Sequence, residues 1–89
     1  MIYAIEITDK VAKKLLKFPK KDKERIVRTI DSLSESPRPQ GVRKLRGIDK
    51  LTLLRIRVGK YRIVYTIQDD LLLVLIIDVD HRKDIYSEY

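Results

Sequence analysis

The sequence predicts an α+β domain in which two N-terminal helices pack on one face of an antiparallel sheet. Two early segments carry apolar residues at helical spacing, whereas the later segments are rich in the β-branched and aromatic residues typical of strands. A Gly-Lys pair at residues 59–60 separates two of the later segments, as a hairpin turn would. The predicted order is therefore β-α-α-β-β-β, with one further short strand possible before the hairpin.

The N-terminal segment predicts a strand followed by a short helix. Residues 2–7 are strand-like, and Thr8 or Asp9 can then cap a helix over about residues 10–17. Either side chain can accept a hydrogen bond from a free N–H group of the first helical turn. The positions expected to be buried are Val11, Ala12, Leu15 and Leu16.

A second helix is expected after Pro19, which ends the first helix and suits the first turn of the next. It runs to about Leu33, and its expected buried stripe is Ile26, Val27, Ile30 and Leu33. The outer faces of both helices are densely basic, a pattern usually typical of a solvated surface. Residues 34–41 contain two prolines and predict a loop, and residues 42–47 predict a short connector or edge strand.

Residues 51–65 predict a β-hairpin around Gly59-Lys60, because a Gly-X pair is typical of a two-residue type II′ turn. This turn fixes the register, with Val58 opposite Tyr61 and Arg57 opposite Arg62. Since side chains alternate between faces along a strand, one face becomes a core surface of Leu54, Ile56, Val58, Tyr61, Ile63 and Tyr65. The other face carries Arg55, Arg57 and Arg62, which we call the arginine face.

The arginine face predicts an anionic ligand. Like charges directly opposite each other destabilise a sheet by roughly 0.2–1 kcal/mol. The composition of the whole chain also favours an anionic ligand, because 20 Lys and Arg residues against 13 Asp and Glu residues give a net charge of +7. That balance favours nucleic acid, an acidic protein or an anionic membrane as the partner.

Residues 72–79 form a nearly unbroken apolar run, which predicts a central strand covered on both faces. The expected faces are Leu73, Leu75 and Ile77 under the arginines, and Leu72, Val74 and Ile76 on the helix side. The end of this strand should lie beside the start of the Arg62 strand. The sequence therefore predicts that His81 and Arg82 lie near Arg62.

Several classes of site and location are excluded or disfavoured by the sequence. It has no cysteine, so disulfides and thiolate metal sites are excluded, and one histidine with scattered carboxylates argues against a transition-metal cofactor. Neither a Gly-rich phosphate loop nor a nucleophilic serine motif is present. The chain predicts one domain spanning residues 1–89, and without a signal peptide or a membrane-spanning run it predicts a cytoplasmic protein.

Arginine, histidine and tyrosine remain as the candidate chemical groups, and they suit RNA cleavage. Arginine matches phosphate geometry and keeps its charge, and RNA supplies its own nucleophile, the 2′-hydroxyl. Tyr86 and His81 are the nearby residues able to move protons. Positive charge around them favours ionised Tyr86 and disfavours protonated His81, so Tyr86 is the preferred proton acceptor and His81 the alternative.

Four short motifs match a known family in order and spacing: SPR at 36–38, KLRG at 44–47, YRIVY at 61–65 and VDHRKDIY at 79–86. On these residues the chain resembles the RelE/ParE superfamily of toxins from bacterial and archaeal toxin–antitoxin pairs, and within it the RelE-like branch. The resemblance implies a metal-independent endoribonuclease that cuts messenger RNA, typically in the ribosomal A site.

The resemblance also implies roles for individual residues. Arg62 corresponds to the phosphate-stabilising arginine, Arg82 to one that assists the leaving group or scissile phosphate, and Tyr86 to a tyrosine that stacks on RNA and transfers protons. Arg55 stands where the family often has a catalytic lysine, and Leu53 replaces a second lysine found in some relatives. The further residues expected to bind RNA are Lys44, Arg46, Arg57, Lys60 and Lys83.

Two alternatives to the nuclease stay open at this stage: a ParE-like toxin that poisons DNA gyrase, and a non-catalytic basic binding module. The joint presence of Arg62, Arg82 and Tyr86 favours the nuclease. A RelB-like antitoxin is the partner that the resemblance implies, beside mRNA and the ribosome, and a hetero-oligomeric complex is expected. We expect an acidic amphipathic antitoxin segment to fold on binding, and to displace the Tyr86 segment or cover the arginine face.

Overall fold

The computed structural model describes residues 2–48 and 51–81. The elements in chain order are β1 (Ala4–Ile7), α1 (Asp9–Lys17), α2 (Lys20–Ser32), β2 (Arg43–Ile48), β3 (Leu51–Val58), β4 (Tyr61–Gln68) and β5 (Leu73–His81). A single turn of 3₁₀ helix, Asp69–Leu71, joins β4 to β5. The predicted α+β order is thus confirmed, with residues 43–48 as a true strand.

The described strands form one sheet in the order β1-β5-β4-β3-β2. Neighbouring strands from β5 to β2 run antiparallel, as predicted, whereas β1 runs parallel to β5. Parallel neighbours need a long connection. Here the connection from β1 to β5 includes both helices and the three strands β2, β3 and β4. This exception makes β5 an internal strand of the sheet, as its apolar sequence indicates.

The hairpin formed by β3 and β4 has the predicted register. Val58 pairs with Tyr61, Arg57 with Arg62, and Leu54 with Tyr65 at the far end. Gly59 has a φ of +58°, and a positive φ at this first turn position is what a type II′ turn requires.

The two helices begin as predicted but bury narrower stripes. The Thr8 hydroxyl accepts a hydrogen bond from the Val11 N–H at 3.3 Å and so caps α1. Pro19 occupies the position directly before α2. The predicted burial of Leu16 is wrong, because this side chain is 77% exposed, and Ala12 is exposed too. A nine-residue helix that packs on the sheet with Val11 and Leu15 turns only one narrow face towards it.

The main core lies between the helices and the sheet. Its buried members are Val11, Leu15, Ile26, Ile30, Leu33, Val58, Ile63, Tyr65, Val74, Ile76 and Val79. A smaller apolar cluster lies on the opposite face, where Leu53 and Val64 are buried and Leu45 and Ile77 pack against them. The predicted faces of Val74, Ile76 and Ile77 are therefore confirmed. Leu72 instead lies before β5, with a left-handed φ of 50°.

The loop after α2 is fastened to the sheet by the SPR motif. The Tyr65 hydroxyl donates to the Pro37 carbonyl at 2.8 Å, and burial raises the pKa of Tyr65 to about 12. Arg38 donates to both carboxylate oxygens of Asp69, at 3.2 and 2.8 Å, and Tyr3 donates to the same group at 2.7 Å. The hydrogen bond from Arg38 and then that from Tyr3 lower the pKa of Asp69 to about 2.

Replacing Gly59 with alanine is expected to destabilise the protein by about 2 kcal/mol, because a left-handed L-residue is strained by roughly 1–2 kcal/mol. A Cβ at this position would also lie 3.2 Å from both Nη atoms of Arg25. Urea denaturation measures the loss. In an Arg25→Ala background the same change should cost only the backbone strain, and an undiminished penalty there would contradict a role for the Arg25 contact.

Candidate functional site

A concave site of about 600 Å³ lies on the arginine face, lined by Gly41, Arg43, Arg55, Arg57 and Arg62. The arginines come from three adjacent strands. Arg43 on β2 pairs with Arg55 on β3, and Arg57 on β3 pairs with Arg62 on β4. The sheet thus holds the positive charges as two directly opposed pairs, and arginine is a common ligand of nucleic-acid phosphates.

Arg62 is the most enclosed of these side chains. It is 3% exposed, and its Nε and Nη1 atoms are buried. Its strand partner Arg57 is exposed, and Arg55 is half-buried. A guanidinium keeps its charge in such surroundings, so Arg62 presents a permanent positive charge at the base of the site. An enclosed charge acts more strongly on a ligand than one in open water.

Arg43 is a member of the site that the sequence motifs do not single out. Arg43 follows Gly41 by two residues and begins β2, and it pairs with Arg55 on the neighbouring strand β3. This position at the start of a strand is the feature of the sequence that could have indicated it. The pairing of β2 with β3 has an irregularity between Lys44 and Arg46. Counting residues back from the connection between the two strands therefore does not predict that Arg43 pairs with Arg55.

Leu53 is a packing residue on the same face of the sheet as the arginines. It is 3% exposed and packs with Val64 in the smaller apolar cluster. At this position the chain therefore supports the arginine face by apolar contacts. The positive charge of the site comes from arginines, which do not exchange protons near neutral pH.

An acidic pair on β5 adjoins Arg62. Asp80 is the direct strand partner of Arg62, and Asp78 is that of Val64. Lys14 of α1 donates to Asp78 at 2.8 Å and to Asp80 at 2.6 Å, and Lys10 pairs with Asp78 at 3.0 Å. The sequence motifs include Asp80 but predict no role for either acid.

These contacts decide the ionisation of the cluster. Burial disfavours the charged form of Asp78, but the hydrogen bonds from Lys14 and Lys10 outweigh it, and the pKa of Asp78 is lowered. Burial likewise opposes the charge of Lys14, and its bonds to Asp78 and Asp80 outweigh that effect, so its pKa is raised. The contacts between Lys14 and Asp78 therefore favour the charged forms of both groups.

His81 lies beside the site in register but turns to the other face. It is the strand partner of Tyr61, and the two rings meet edge to face with centroids 6.1 Å apart. The Tyr61 ring also packs on the Phe18 ring, with centroids 4.8 Å apart, and the Tyr61 hydroxyl donates a hydrogen bond to the Asp22 carboxylate at 3.0 Å. Burial and then the Asp22 contact raise the pKa of Tyr61. The backbone of His81 is near Arg62, as predicted, but alternation points the two side chains to opposite faces.

The remaining predicted residues fall into two groups. Lys44 is exposed on β2 opposite Leu54, a residue of the core face, and Lys60 is exposed at the hairpin turn. The side chain of Arg46, and Arg82, Lys83 and Tyr86 as a whole, lie outside the described residues. Among the residues described, no group of three His, Asp or Glu side chains is arranged to hold a metal ion.

The fold and its arginine-lined site define a class of small toxins. Residues 5–86 match the family described as the ParE toxin of the type II toxin–antitoxin system parDE, and the chain belongs to this family. Its RelE-like character is also shown. The chain is 29% identical over 90 residues to the mRNA interferase toxin RelE of Escherichia coli K12, covering 99% of this chain and 94% of that one.

Solved structures of RelE toxins share the fold. The archaeal RelE–RelB complex from Pyrococcus horikoshii OT3 matches with a TM-score of 0.81 and 32% identity, over 92% of this chain and 97% of that one. The toxin–antitoxin complex RelBE2 from Mycobacterium tuberculosis matches with a TM-score of 0.79 and 29% identity, over 92% and 93% of the two chains. The predicted family and fold are thereby confirmed.

Proposed function

We propose that this chain is a type II toxin that inhibits translation by cutting messenger RNA as an endoribonuclease, acting in the ribosomal A site. The observation that carries the proposal is the arginine-lined site formed by β2, β3 and β4, in a fold whose relatives include a named mRNA interferase. Phosphodiester cleavage develops extra negative charge at phosphorus. Fixed cations aimed at that charge are an effective means of lowering the barrier.

The reaction is an internal transfer at phosphorus. The 2′-oxygen of the RNA forms a bond to phosphorus, and the bond to the 5′-oxygen of the next nucleotide breaks. The products are a 2′,3′-cyclic phosphate and a free 5′-hydroxyl. Arg62 and Arg55 would stabilise the charge on the phosphate, while Arg43 and Arg57 would bind the neighbouring backbone. With this charge supplied by the protein, we propose that cleavage needs no metal.

Two proton transfers complete the reaction. One proton leaves the 2′-hydroxyl and another reaches the departing 5′-oxygen. Arginine is a poor proton carrier, so we assign the first transfer to Tyr86 and assistance to the leaving group to Arg82. The packing of His81 against Tyr61, away from the arginine face, favours Tyr86 over His81 as the acceptor.

We propose a RelB-like antitoxin as the partner, in a hetero-oligomeric complex. Two structural relatives are toxins in complexes of this kind, RelE with RelB and RelBE2. The net charge of +7 favours an acidic antitoxin segment. The proposed partners are therefore mRNA, the ribosome and the antitoxin. No helix in the described part of the chain could cross a membrane.

Primer extension on a translated mRNA after induction of the toxin tests the proposal. We expect new 5′ ends inside the reading frame at fixed positions within codons, together with growth arrest. The matched control is the same mRNA without a start codon, which should stay intact. Cleavage of both transcripts would contradict a ribosome-dependent nuclease.

The ParE description of the matched family supports one second candidate, a toxin that acts on DNA gyrase. The same induction separates the two functions. Growth arrest with intact mRNA and trapped gyrase–DNA complexes would favour this second candidate. Absence of growth arrest would instead favour a non-catalytic basic module.

A further inference from the structure

The loop between α2 and β2 passes from the helix side of the sheet to the arginine face. Val42 is half-buried and packs against the main core, whereas Gly41, directly before it, lines the arginine-lined site. Arg43 follows as the first residue of β2 and lines the same site. Three consecutive residues therefore join the packed interior of the protein to the site.

The loop makes a defined turn at Gly41. The Val42 N–H donates to the Pro39 carbonyl at 3.2 Å, and Gly41 has a φ of +93°. A hydrogen bond across four residues with a positive φ at the third is typical of a type II turn, which glycine adopts without strain. A Cβ on Gly41 would meet no described residue beyond its chain neighbours within 4 Å. The backbone conformation therefore requires the glycine, and the turn sets the course of the chain into Arg43.

The start of this loop is held by Tyr65. The Tyr65 side chain is fully buried, and its hydroxyl donates to the Pro37 carbonyl at 2.8 Å. Arg38, the next residue, is held by Asp69, but both of these side chains are more than half exposed, so water competes for them. Tyr65 thus provides the contact that is better shielded from water, and it comes from β4, one of the three strands that form the site.

The segment between Pro37 and Gly41 is stiff. The rings of Pro37 and Pro39 each fix a φ angle, and Arg38 is restricted because it precedes a proline. Few backbone rotations are thus available between the Tyr65 contact and the turn. A shift of Pro37 would therefore be passed on to Gly41 and would not be absorbed within the loop.

Arg43 depends on this loop for its place because it begins an edge strand. β2 lies at one edge of the described sheet, and its pairing with β3 is regular at Arg43 and Lys44 before the register shifts. The Arg43 side chain is exposed, so packing around it contributes little to its position. The loop can supply the constraint that a short stretch of edge pairing does not.

We propose that Tyr65 is a positioning residue for RNA binding: its hydroxyl fixes the loop at residues 37–41, and the loop holds Arg43 in the arginine-lined site. This inference rests on the proposed function, in which Arg43 binds the RNA backbone beside the scissile phosphate. Tyr65 itself belongs to the main core, so it acts on the RNA through Arg43. Its loss should therefore weaken binding and leave the chemical step nearly unchanged.

The test measures the single-turnover rate of cleavage on ribosomes programmed with a defined message, at increasing toxin concentration. Tyr65→Phe removes the hydroxyl and keeps the buried ring. It should raise the half-saturating concentration about fivefold, on the scale of one lost hydrogen bond, and leave the maximal rate within about twofold of the wild type. The matched control is Tyr61→Phe on the same strand, which removes a hydroxyl that bonds to Asp22 and should leave both parameters within about twofold.

A double-mutant cycle with Arg43→Ala is decisive, because it shows whether Tyr65 acts through Arg43. Arg43→Ala should raise the half-saturating concentration by at least about tenfold, since a charged hydrogen bond to phosphate is lost. In that background Tyr65→Phe should add less than about twofold. A merely structural tyrosine would add its full effect in both backgrounds.

Pro39→Gly tests the stiffness of the loop without changing a core residue. It should raise the half-saturating concentration about threefold, because glycine restores the backbone freedom that proline removes. This effect too should vanish in the Arg43→Ala background. Melting temperatures show whether each variant is folded. An unchanged half-saturating concentration in folded Pro39→Gly would overturn the inference, even if Tyr65→Phe did not fold.

The results also distinguish this inference from the proposed function. A wild-type protein that leaves the message intact on the ribosome would overturn the proposed function and this inference with it. Normal wild-type cleavage would leave the proposed function standing. In that case an unaffected Tyr65→Phe, an unaffected Arg43→Ala, or a Tyr65→Phe effect that persists without Arg43 would overturn the inference alone.

Discussion

Replacing Arg62 with alanine is expected to lower the rate of mRNA cleavage by about 10²–10³-fold, the usual loss when one fixed donor to a developing oxyanion is removed. Arg62 is the most enclosed cation of the arginine face, with 3% of its surface exposed. An enclosed, permanently charged group is the one that a phosphate would meet with the least competition from water. The measurement is the single-turnover rate on translating ribosomes.

Arg57→Ala is the matched control for this prediction. Arg57 is the strand partner of Arg62 and has the same charge, but it is exposed, so its removal should slow cleavage by about tenfold or less because water screens it. Arg62→Lys tests geometry, since lysine keeps the charge but loses the fork that fits phosphate. Equal losses in the two alanine variants, with both folded, would contradict a special role for Arg62.

The hairpin could be predicted pair by pair because its register depends on two adjacent turn residues. Gly59-Lys60 leaves one pairing for the strands around it, and alternation then sorts Arg57 and Arg62 from the core residues. Thr8 was one of two candidate caps for the same local reason. The hairpin register and the helix cap are each determined by a few neighbouring residues, so the local sequence is sufficient to predict them.

The features that the sequence did not predict depend on distant parts of the chain. The parallel pairing of β1 with β5 joins Ala4 to Leu73, and nothing near either residue specifies it. The irregular register of β4 and β5 near Ile77 is another example, since Tyr65 pairs with Ile76 but Val64 pairs with Asp78. A one-residue bulge of this kind changes which side chains face the site.

The candidate site shows the same division. The arginine face follows from the hairpin, but the contact of Lys14 with Asp78 and Asp80 joins residues more than sixty positions apart. The face of His81 could not be counted from the turn at 69–70, because the bulge lies between that turn and His81. The position of His81 near Arg62 along the strands was therefore predicted correctly, whereas the face to which the His81 side chain points is known only from the structure.

Ile76→Ala should have the largest effect on stability, a loss of about 2–5 kcal/mol for a large apolar side chain removed from a packed core. Ile76 is fully buried on an internal strand beneath the helices. A small domain with a total stability of about 5–10 kcal/mol would lose a large share of it. Urea denaturation measures the loss, and Ile7→Ala is the control, because Ile7 pairs with Ile76 but is 44% exposed and should lose less than half as much.

The two largest effects should separate folding from chemistry. At a temperature where Ile76→Ala is still folded, its cleavage rate should stay within about threefold of the wild type, because the arginine face lies on the other side of the sheet. Arg62→Ala should show the reverse, with cleavage lost in a protein that still melts cooperatively. Loss of cleavage in fully folded Ile76→Ala would mean that the core face of β5 also controls the site, and that the arginine face does not act as a surface independent of the packing beneath it.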